Sequence, residues 1–301
     1  MPKIYPHPSL KQSSACLRPT SRQVFPTMPE LAEVEFFRKK WNVGLAHKIV
    51  SIHLQPKKRV FRQTSTTLLA RKIRGRSFHS SHAHGKQMLF RFGSDAWLGI
   101  HLGMTGRLLA ASSLHRPSSS DHLILRTASH SLIFRDPRLF GRVRFAVSPR
   151  PPSWWSNLPP PIHSPKFTVP YLRKICARRA RSPLKALLLM QQFFPGIGNW
   201  MADEILWQAK LCPRTLSGAL SSSSIAQLHQ RLRQICRTSL RLIGHDYSDP
   251  PKTWLYRHRW RSGGYCPRCQ RRLSRAPIGG RTTCWCPTCQ PSTPLPLASP
   301  D

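Results

Sequence analysis

The 301-residue sequence predicts an α+β protein: a β-rich N-terminal domain with a leading helix, then a helical domain, then a small cysteine hairpin. Three observations carry this prediction. Between residues 86 and 147, short stretches alternate apolar and polar positions and are separated by Gly, Ser and Asp clusters, the period-two signature of half-buried strands. From residue 170 the apolar positions recur every three to four residues, as helices require. Two Cys-x-x-Cys pairs lie near the C-terminus. The length leaves room for two modest domains and a small third module.

The charge balance narrows the partner. Forty-eight Lys+Arg face 11 Asp+Glu, a formal net charge of +37. Such self-repulsion opposes compaction, so a polyanionic partner is the economical explanation. Hydrophobic residues at 40% exclude a wholly disordered basic tail, since a core can be buried. No apolar run approaches the ~18 residues of a membrane span, so a transmembrane protein is excluded. Arg outnumbers Lys, and the guanidinium fork matches phosphate geometry. The charge is spread along the chain among aromatics such as Trp254, Tyr256 and Trp260. That favours nucleic acid over an anionic lipid surface, which would want basic charge gathered on one amphipathic helix.

Taken in order, residues 1–27 contain no acid and no apolar stretch of signal-peptide length, and are expected to be an untranslated or disordered extension. A transit peptide is the alternative. Three of the few acids then fall in Met28-Pro-Glu-Leu-Ala-Glu-Val-Glu35, where Leu31, Val34, Phe37 and Trp41 have near-helical spacing. Acids in a first turn suit the positive end of the helix dipole. The other reading is that a DNA-facing surface keeps negative charge only for a chemical use. Residues 28–148 follow as the β-rich domain, with strands expected at 86–92, 123–125, 132–134 and 143–147 in a sandwich or barrel. His79, His82 and His84 are expected on a basic loop facing nucleic acid, in preference to a metal site lacking any acid or Cys.

Seven prolines between 149 and 165 mark an interdomain linker. The helical domain, 166–250, should contain a helix capped by Ser182 with Pro183 at its first position. The turn Pro195-Gly-Ile-Gly-Asn199 should follow, with Asn199 capping a second helix, and Ser224 should cap a third that Gly244 ends. A helix start opened by glycines is an anion site, so this is either a helix–turn–helix gripping a DNA phosphate or a plain αα-hairpin.

In the last module, 251–290, Cys266-Pro-Arg-Cys269 and Cys286-Pro-Thr-Cys289 are separated by sixteen residues. Four thiolates presented by two such knuckles make the closed tetrahedral shell of structural zinc. A disulfide framework is disfavoured, because Cys16, Cys176, Cys212 and Cys236 are isolated and no secretory signal precedes them. Cys284 is a spare thiol that competes with Cys286, whose spacing is the regular one. Gly279-Gly280-Arg281 between the pairs marks a hairpin tip, with Arg281 either at a phosphate or simply solvated. Residues 291–301 form a tail.

Together these stretches resemble the formamidopyrimidine-DNA glycosylase/endonuclease VIII family. The resemblance runs from Met28 to Gln290 through Met28–Glu35, His101-Leu-Gly-Met-Thr-Gly106, Asp136-Pro-Arg-Leu-Phe-Gly141, Lys185-Ala-Leu-Leu-Leu, Gly196-Ile-Gly-Asn199 with Ala202-Asp-Glu204, and the cysteine hairpin. It implies a β-sandwich, a helix–two-turns–helix domain and a zinc finger, with damaged double-stranded DNA between them. It further implies a bifunctional glycosylase/AP lyase acting on oxidised or ring-opened purines through the amine of an N-terminal proline, here Pro29. An α-amine with pKa about 7.8 is roughly one-seventh neutral at pH 7, against less than ~0.1% of a lysine. Glu30 becomes the general acid/base, Lys86 and Arg281 assist at the reacting nucleotide, and Glu33 is an acidic pocket residue. His122, Lys185 and Asn199 contact DNA, while Met104, Arg138 and Phe140 fill the hole left by the flipped base.

Within a continuous chain the Pro29 nitrogen is a tertiary amide, so translation is expected to start at Met28 with removal of that methionine. Ala32 and Met190 replace the family's usual proline and aspartate. The stretch 246–254 looks shorter than the family's loop over 8-oxoguanine, which favours formamidopyrimidines or abasic sites. The alternatives are an oxidised-pyrimidine glycosylase, or a non-catalytic damage-binding protein should the amine stay blocked. The expected setting is the cytoplasm or nucleoid and the expected state a monomer, as no repeat or heptad is visible.

Overall fold

The computed structural model describes residues 28–260 and 262–292, so the extension expected over 1–27 and the tail beyond 292 lie outside the described residues. Helix α1, Leu31–Lys40, opens the described chain. Its faces serve two cores. Val34 and Phe37, followed by Trp41, enter the N-terminal core, while Leu31 and Ala32 enter the helical one.

The strands are β1 (Ser51–Leu54), β2 (Phe78–His84), β3 (Gln87–Phe92), β4 (Ala96–His101), β5 (Arg107–Ser112), β6 (Asp121–Arg126), β7 (His130–Arg135) and β8 (Arg142–Val147). They form two four-stranded antiparallel sheets, ordered β1-β6-β7-β5 and β2-β3-β4-β8. The open choice between sandwich and barrel is thereby settled as two sheets. Phe78, Phe90, Leu98 and Phe134 fill the space between them, each worth roughly 1.5–3 kcal/mol of apolar burial. Helix α2, Thr66–Ile73, starts on the Ser65 hydroxyl, which accepts from the Leu68 amide at 3.2 Å. The histidines expected on a loop lie instead on β2, where regular pairing with β3 claims the backbone from Ser80 onward.

The proline-rich linker holds a one-turn helix, α3 (Ser153–Ser156), whose Trp154 packs on β4 at Gly99. The helical domain comprises α4 (Val169–Arg178), α5 (Leu184–Leu188), α6 (Asn199–Gln208) and α7 (Ser222–Asp246). Three caps differ from expectation. Ser221, not Ser224, caps α7, with its hydroxyl accepting from the Ser224 amide at 3.1 Å. Pro183 is the N-cap of α5 rather than its first residue. Gly198 precedes α6 and Asn199 is its first residue. Gly244 lies inside α7, which ends at Tyr247 in the left-handed conformation. The hairpin of β9 (Ser274–Ile278) and β10 (Arg281–Trp285) turns through Gly279 and Gly280, both at positive φ as a tight two-residue hairpin turn demands. Among the described residues, no helix is long and apolar enough to cross a membrane.

One buried acid locks the β1-β6-β7-β5 sheet. Asp121 at the start of β6 accepts from Arg135 Nε at 2.6 Å and from the Ser118 amide at 2.9 Å, with His115 Nε2 at 3.0 Å. Burial alone would raise its carboxyl, but these donors outweigh burial and hold it well below the usual carboxylate range. A depressed native value adds stability above the unfolded pKa of about 3.9, and that stability drains away as pH falls. Asp121→Asn should therefore cost about 2–3 kcal/mol at pH 7, with the deficit against wild type narrowing at pH 3. Urea unfolding at the two pH values measures both.

Candidate active site and nucleic-acid interface

The site is assembled where α1 meets α6. Glu30, immediately before α1, is buried, and its carboxylate accepts from the backbone amides of Gly198 (2.9 Å), Trp200 (2.9 Å) and Met201 (3.1 Å). These are free donors of a helix start, satisfied by an acid some 170 positions away in sequence. The approach needs glycine at 198, since a Cβ there would fall 2.3 Å from Glu30 Cδ. Glu33 completes the join, accepting from the Glu30 amide at 3.2 Å and from Trp200 Nε1 at 3.2 Å. Burial pushes the Glu30 carboxyl above its ordinary range, against the pull of Lys86 and the α6 amides.

A cavity of about 700 Å³ opens beside this join, lined among others by Glu30, Lys86, Met104, Asn199 and Arg281. Lys86 begins the approach to β3 at the turn after β2; burial lowers its ammonium pKa, while Glu30 and Glu33 pull it back up. Met28 also lines the cavity, with Sδ 3.7 Å from Lys86 Nζ, and Pro29 is buried beside it. Asn199 ties the helical domain to the hairpin, donating from Nδ2 to the Thr282 carbonyl at 3.0 Å, while its Oδ1 is buried without a partner. Arg281 is exposed at the hairpin tip.

Asp136 ties together two loops, the first of which brings Met104 to the cavity. Asp136 accepts from the Thr105 hydroxyl at 2.6 Å and from the Gly141 amide at 2.7 Å, so the loop carrying Met104 and the loop carrying Arg138 and Phe140 move together. Phe140 is 43% exposed, with the Arg138 guanidinium 4.9 Å from its ring centroid.

Two residues expected at DNA are interior. His122 is buried, with Nε2 2.8 Å from the Asp136 carbonyl oxygen and Nδ1 3.3 Å from Gln55 Oε1. In this structure its ring faces the chain's own oxygens, beside the loop that carries Arg138. Lys185 is fully buried, donating to Asp203 Oδ1 at 2.5 Å and to the Asn199 carbonyl at 2.7 Å. It holds the start of α6 from within.

Asp203, Arg259, His101 and Trp260 were given no role from sequence. Asp203 also accepts from Arg259 Nη2 at 2.7 Å and from the Cys284 amide at 3.1 Å, coupling α5, α6 and the hairpin. Cys284 stands outside the cluster formed by the other four hairpin cysteines. His101, Arg259 and Trp260 line the cavity. His101 and Asp203 stand inside sequence motifs and so carry a usable signal, whereas one Arg among so many does not stand out. Glu204 is fully buried and its carboxyl is pushed up to about 8 by burial, though it accepts from Gln208 Nε2 at 2.7 Å and the Tyr256 amide at 3.0 Å.

The sulfurs of Cys266, Cys269, Cys286 and Cys289 lie within 4.8 Å of one another, with 266–289 at 3.9 Å and 269–286 at 3.5 Å. No pair is bonded. A tetrahedron with ~2.3 Å metal–sulfur arms has edges of about 3.8 Å, so these four side chains fit one metal ion. Trp207 Nε1 donates to Cys266 Sγ at 3.3 Å and the Cys289 amide to Cys286 Sγ at 3.4 Å, outer contacts that favour thiolates.

Known proteins share this plan. Residues 28–143 match the formamidopyrimidine-DNA glycosylase N-terminal domain, and residues 158–249 match the formamidopyrimidine-DNA glycosylase H2TH domain. The formamidopyrimidine-DNA glycosylase of Desulforamulus reducens is 31% identical over 276 residues, covering 87% of this chain and 99% of the relative. A Lactococcus lactis enzyme variant complexed with DNA containing Fapy-dG superposes with a TM-score of 0.78 at 28% identity, covering 88% of this chain and 100% of that one. The Lactococcus lactis enzyme with abasic-site DNA gives 0.78 at 26% identity, covering 87% and 100%.

Removing the central anion of the interior cluster should be severe. Asp203→Asn leaves Lys185 and Arg259 buried without their counter-charge, and a loss of about 3–5 kcal/mol is expected in equilibrium unfolding. Hydrogen exchange in β10 should accelerate with it.

Proposed function

Because the chain belongs to the formamidopyrimidine-DNA glycosylase family, DNA glycosylases of DNA repair, we propose that it releases ring-opened or oxidised purines and then nicks the abasic strand. The convergence of Glu30, Lys86, Asn199 and Arg281 on one cavity is the observation that carries this reading. The chemistry begins with a free Pro29 nitrogen, hence with a chain whose first residue is Pro29. Loss of Met28 also vacates the space beside Lys86.

The Pro29 nitrogen attacks C1′ as the bond from C1′ to the base breaks, and the proton leaving the nitrogen passes to the departing base. Glu30, whose hold on a proton is strengthened by burial, gives that proton to O4′ as the C1′–O4′ bond opens, leaving an iminium. The resulting carboxylate removes a C2′ proton, and the electron pair expels the 3′ phosphate. Lys86 and Arg281 offset charge on the flanking phosphates. Asn199, at the exposed start of α6, holds the backbone around the everted nucleotide. Met104, Phe140 and Arg138 enter the vacated stack, recovering part of the few kcal/mol that eversion costs.

Cys266, Cys269, Cys286 and Cys289 hold a structural zinc ion, which keeps the hairpin rigid and Arg281 at its post.

A chain beginning at Pro29 should release formamidopyrimidine from duplex DNA and nick it, whereas the same chain retaining Met28 should do neither; turnover by the latter contradicts the mechanism. Glu30→Gln, which preserves shape and one acceptor oxygen, should slow opening of the sugar ring, and with it strand nicking, by about 10²–10⁴-fold. Elemental analysis should find one zinc per chain, and Cys286→Ser should lose it together with most DNA affinity.

A further inference from the structure

A second concavity, of about 240 Å³, lies on the outer face of the β2-β3-β4-β8 sheet and shares one wall, His101, with the catalytic cavity. Its floor follows from strand register. Gln87 pairs with His101, His101 with Arg142, and Gly99 with Arg144, so these positions share the face turned away from the sandwich core. Arg62 leans in from the segment before α2, and Phe140 forms the rim. None of Arg62, Arg142 or Arg144 pairs with a carboxylate among the described residues.

Neutral groups hold each arginine in place. Arg62 Nη1 donates to the Gly141 carbonyl at 3.0 Å, Arg142 Nη2 to Gln63 Oε1, and the Arg144 guanidinium lies 5.5 Å from the Trp154 ring centroid. Glycine at 99 lets the Trp154 ring that holds Arg144 seat against the sheet, since a Cβ there would meet it at 2.4 Å. Arg142 Nε is buried without a partner. Burial and mutual repulsion lower Arg62 and Arg144, while burial with Lys86 and these arginines pushes His101 down to about 4. His101 is thus a neutral ring at neutral pH. Its Nδ1 accepts from the Gly103 amide at 3.0 Å, which leaves the hydrogen on Nε2. Three fixed forks with no counter-anion form a receptor awaiting a phosphate.

We propose that Arg62, Arg142 and Arg144 form a phosphate-binding pocket that takes one backbone phosphate of the DNA strand running past Phe140, outside the catalytic cavity. This rests on the reading of DNA as partner and extends its footprint onto the outer sheet face. Duplex DNA supplies such a phosphodiester in register with the wedge; free phosphate is the other source of the same chemistry.

The test measures duplex affinity against salt for the Pro29-initiated chain and for Arg142→Gln/Arg144→Gln. The variant's log–log slope should be shallower by about one, and Arg142→Lys/Arg144→Lys should restore it. Methylphosphonates walked along each strand should reveal one position where removing a charge weakens wild type but leaves the Gln variant unaffected. An unchanged slope, or no such position, overturns the proposal while leaving DNA binding intact. Inorganic phosphate bound by wild type and lost in the Gln variant, with identical DNA slopes, overturns it in favour of a free-anion site. A wild-type chain that does not bind DNA overturns both this and the reading beneath it. Matching unfolding midpoints guard against a folding defect.

Discussion

A single carboxylate holds the two halves of this protein in register. Glu30 stands at the head of α1 yet satisfies three amides at the head of α6, so two helix starts meet through one side chain. A buried carboxylate without donors would be costly, and an α6 start without acceptors would leave orphan N–H groups. Each cures the other's deficit. The consequence is positional: residue 29 is fixed beside the turn that carries Asn199, with Lys86 and Arg281 around the same cavity. Because α1 also contributes to both hydrophobic cores, this join is backed by packing on either side.

The interior ion cluster plays the corresponding part for the hairpin. Asp203 sits between Lys185 and Arg259 and also receives the Cys284 amide, so the hairpin is anchored by charge as well as by Asn199 and Thr282. A buried ionic triad gains little net stability over an apolar core of the same shape, because desolvation consumes most of the Coulomb attraction. Its directional bonds instead fix where Arg281 stands. Such rigidity keeps the side chains around the cavity in a fixed relation to one another.

Much of this was legible in the sequence, for reasons that differ by element. The two Cys-x-x-Cys pairs and the Gly279-Gly280 turn depend on local spacing, and the four sulfurs and the hairpin stand as that spacing requires. The acids around Glu30 were conspicuous because acids are scarce in this chain. What escaped notice depends on contacts distant in sequence. Glu30 reads as a local first-turn acid until α6 arrives 170 positions later, and the partner supplying those contacts made Asn199 unnecessary as a cap. His122 and Lys185 carry polar side chains that elsewhere face solvent, and nothing local announces that a carbonyl and a carboxylate await them inside. Ser221 and Ser224 are equivalent by sequence, since a run of serines offers several caps and packing selects one. The arginine pocket was invisible because it is a product of register: Arg142 and Arg144 join Gln87 and His101 only once β8 pairs with β4 and β4 with β3.

The central claim is that Glu30 accepts from three amides and still keeps its proton more readily than an ordinary carboxyl, because burial outweighs those donors. With only four glutamates in the chain, carboxyl-carbon NMR titration of glutamate-labelled protein, assigned by single Gln substitutions, observes it directly. A Glu30 resonance titrating clearly above the ordinary glutamate value of about 4.3 is the expected result. A midpoint at or below that value would mean the α6 amides dominate, leaving Glu30 a structural cap with no proton to give.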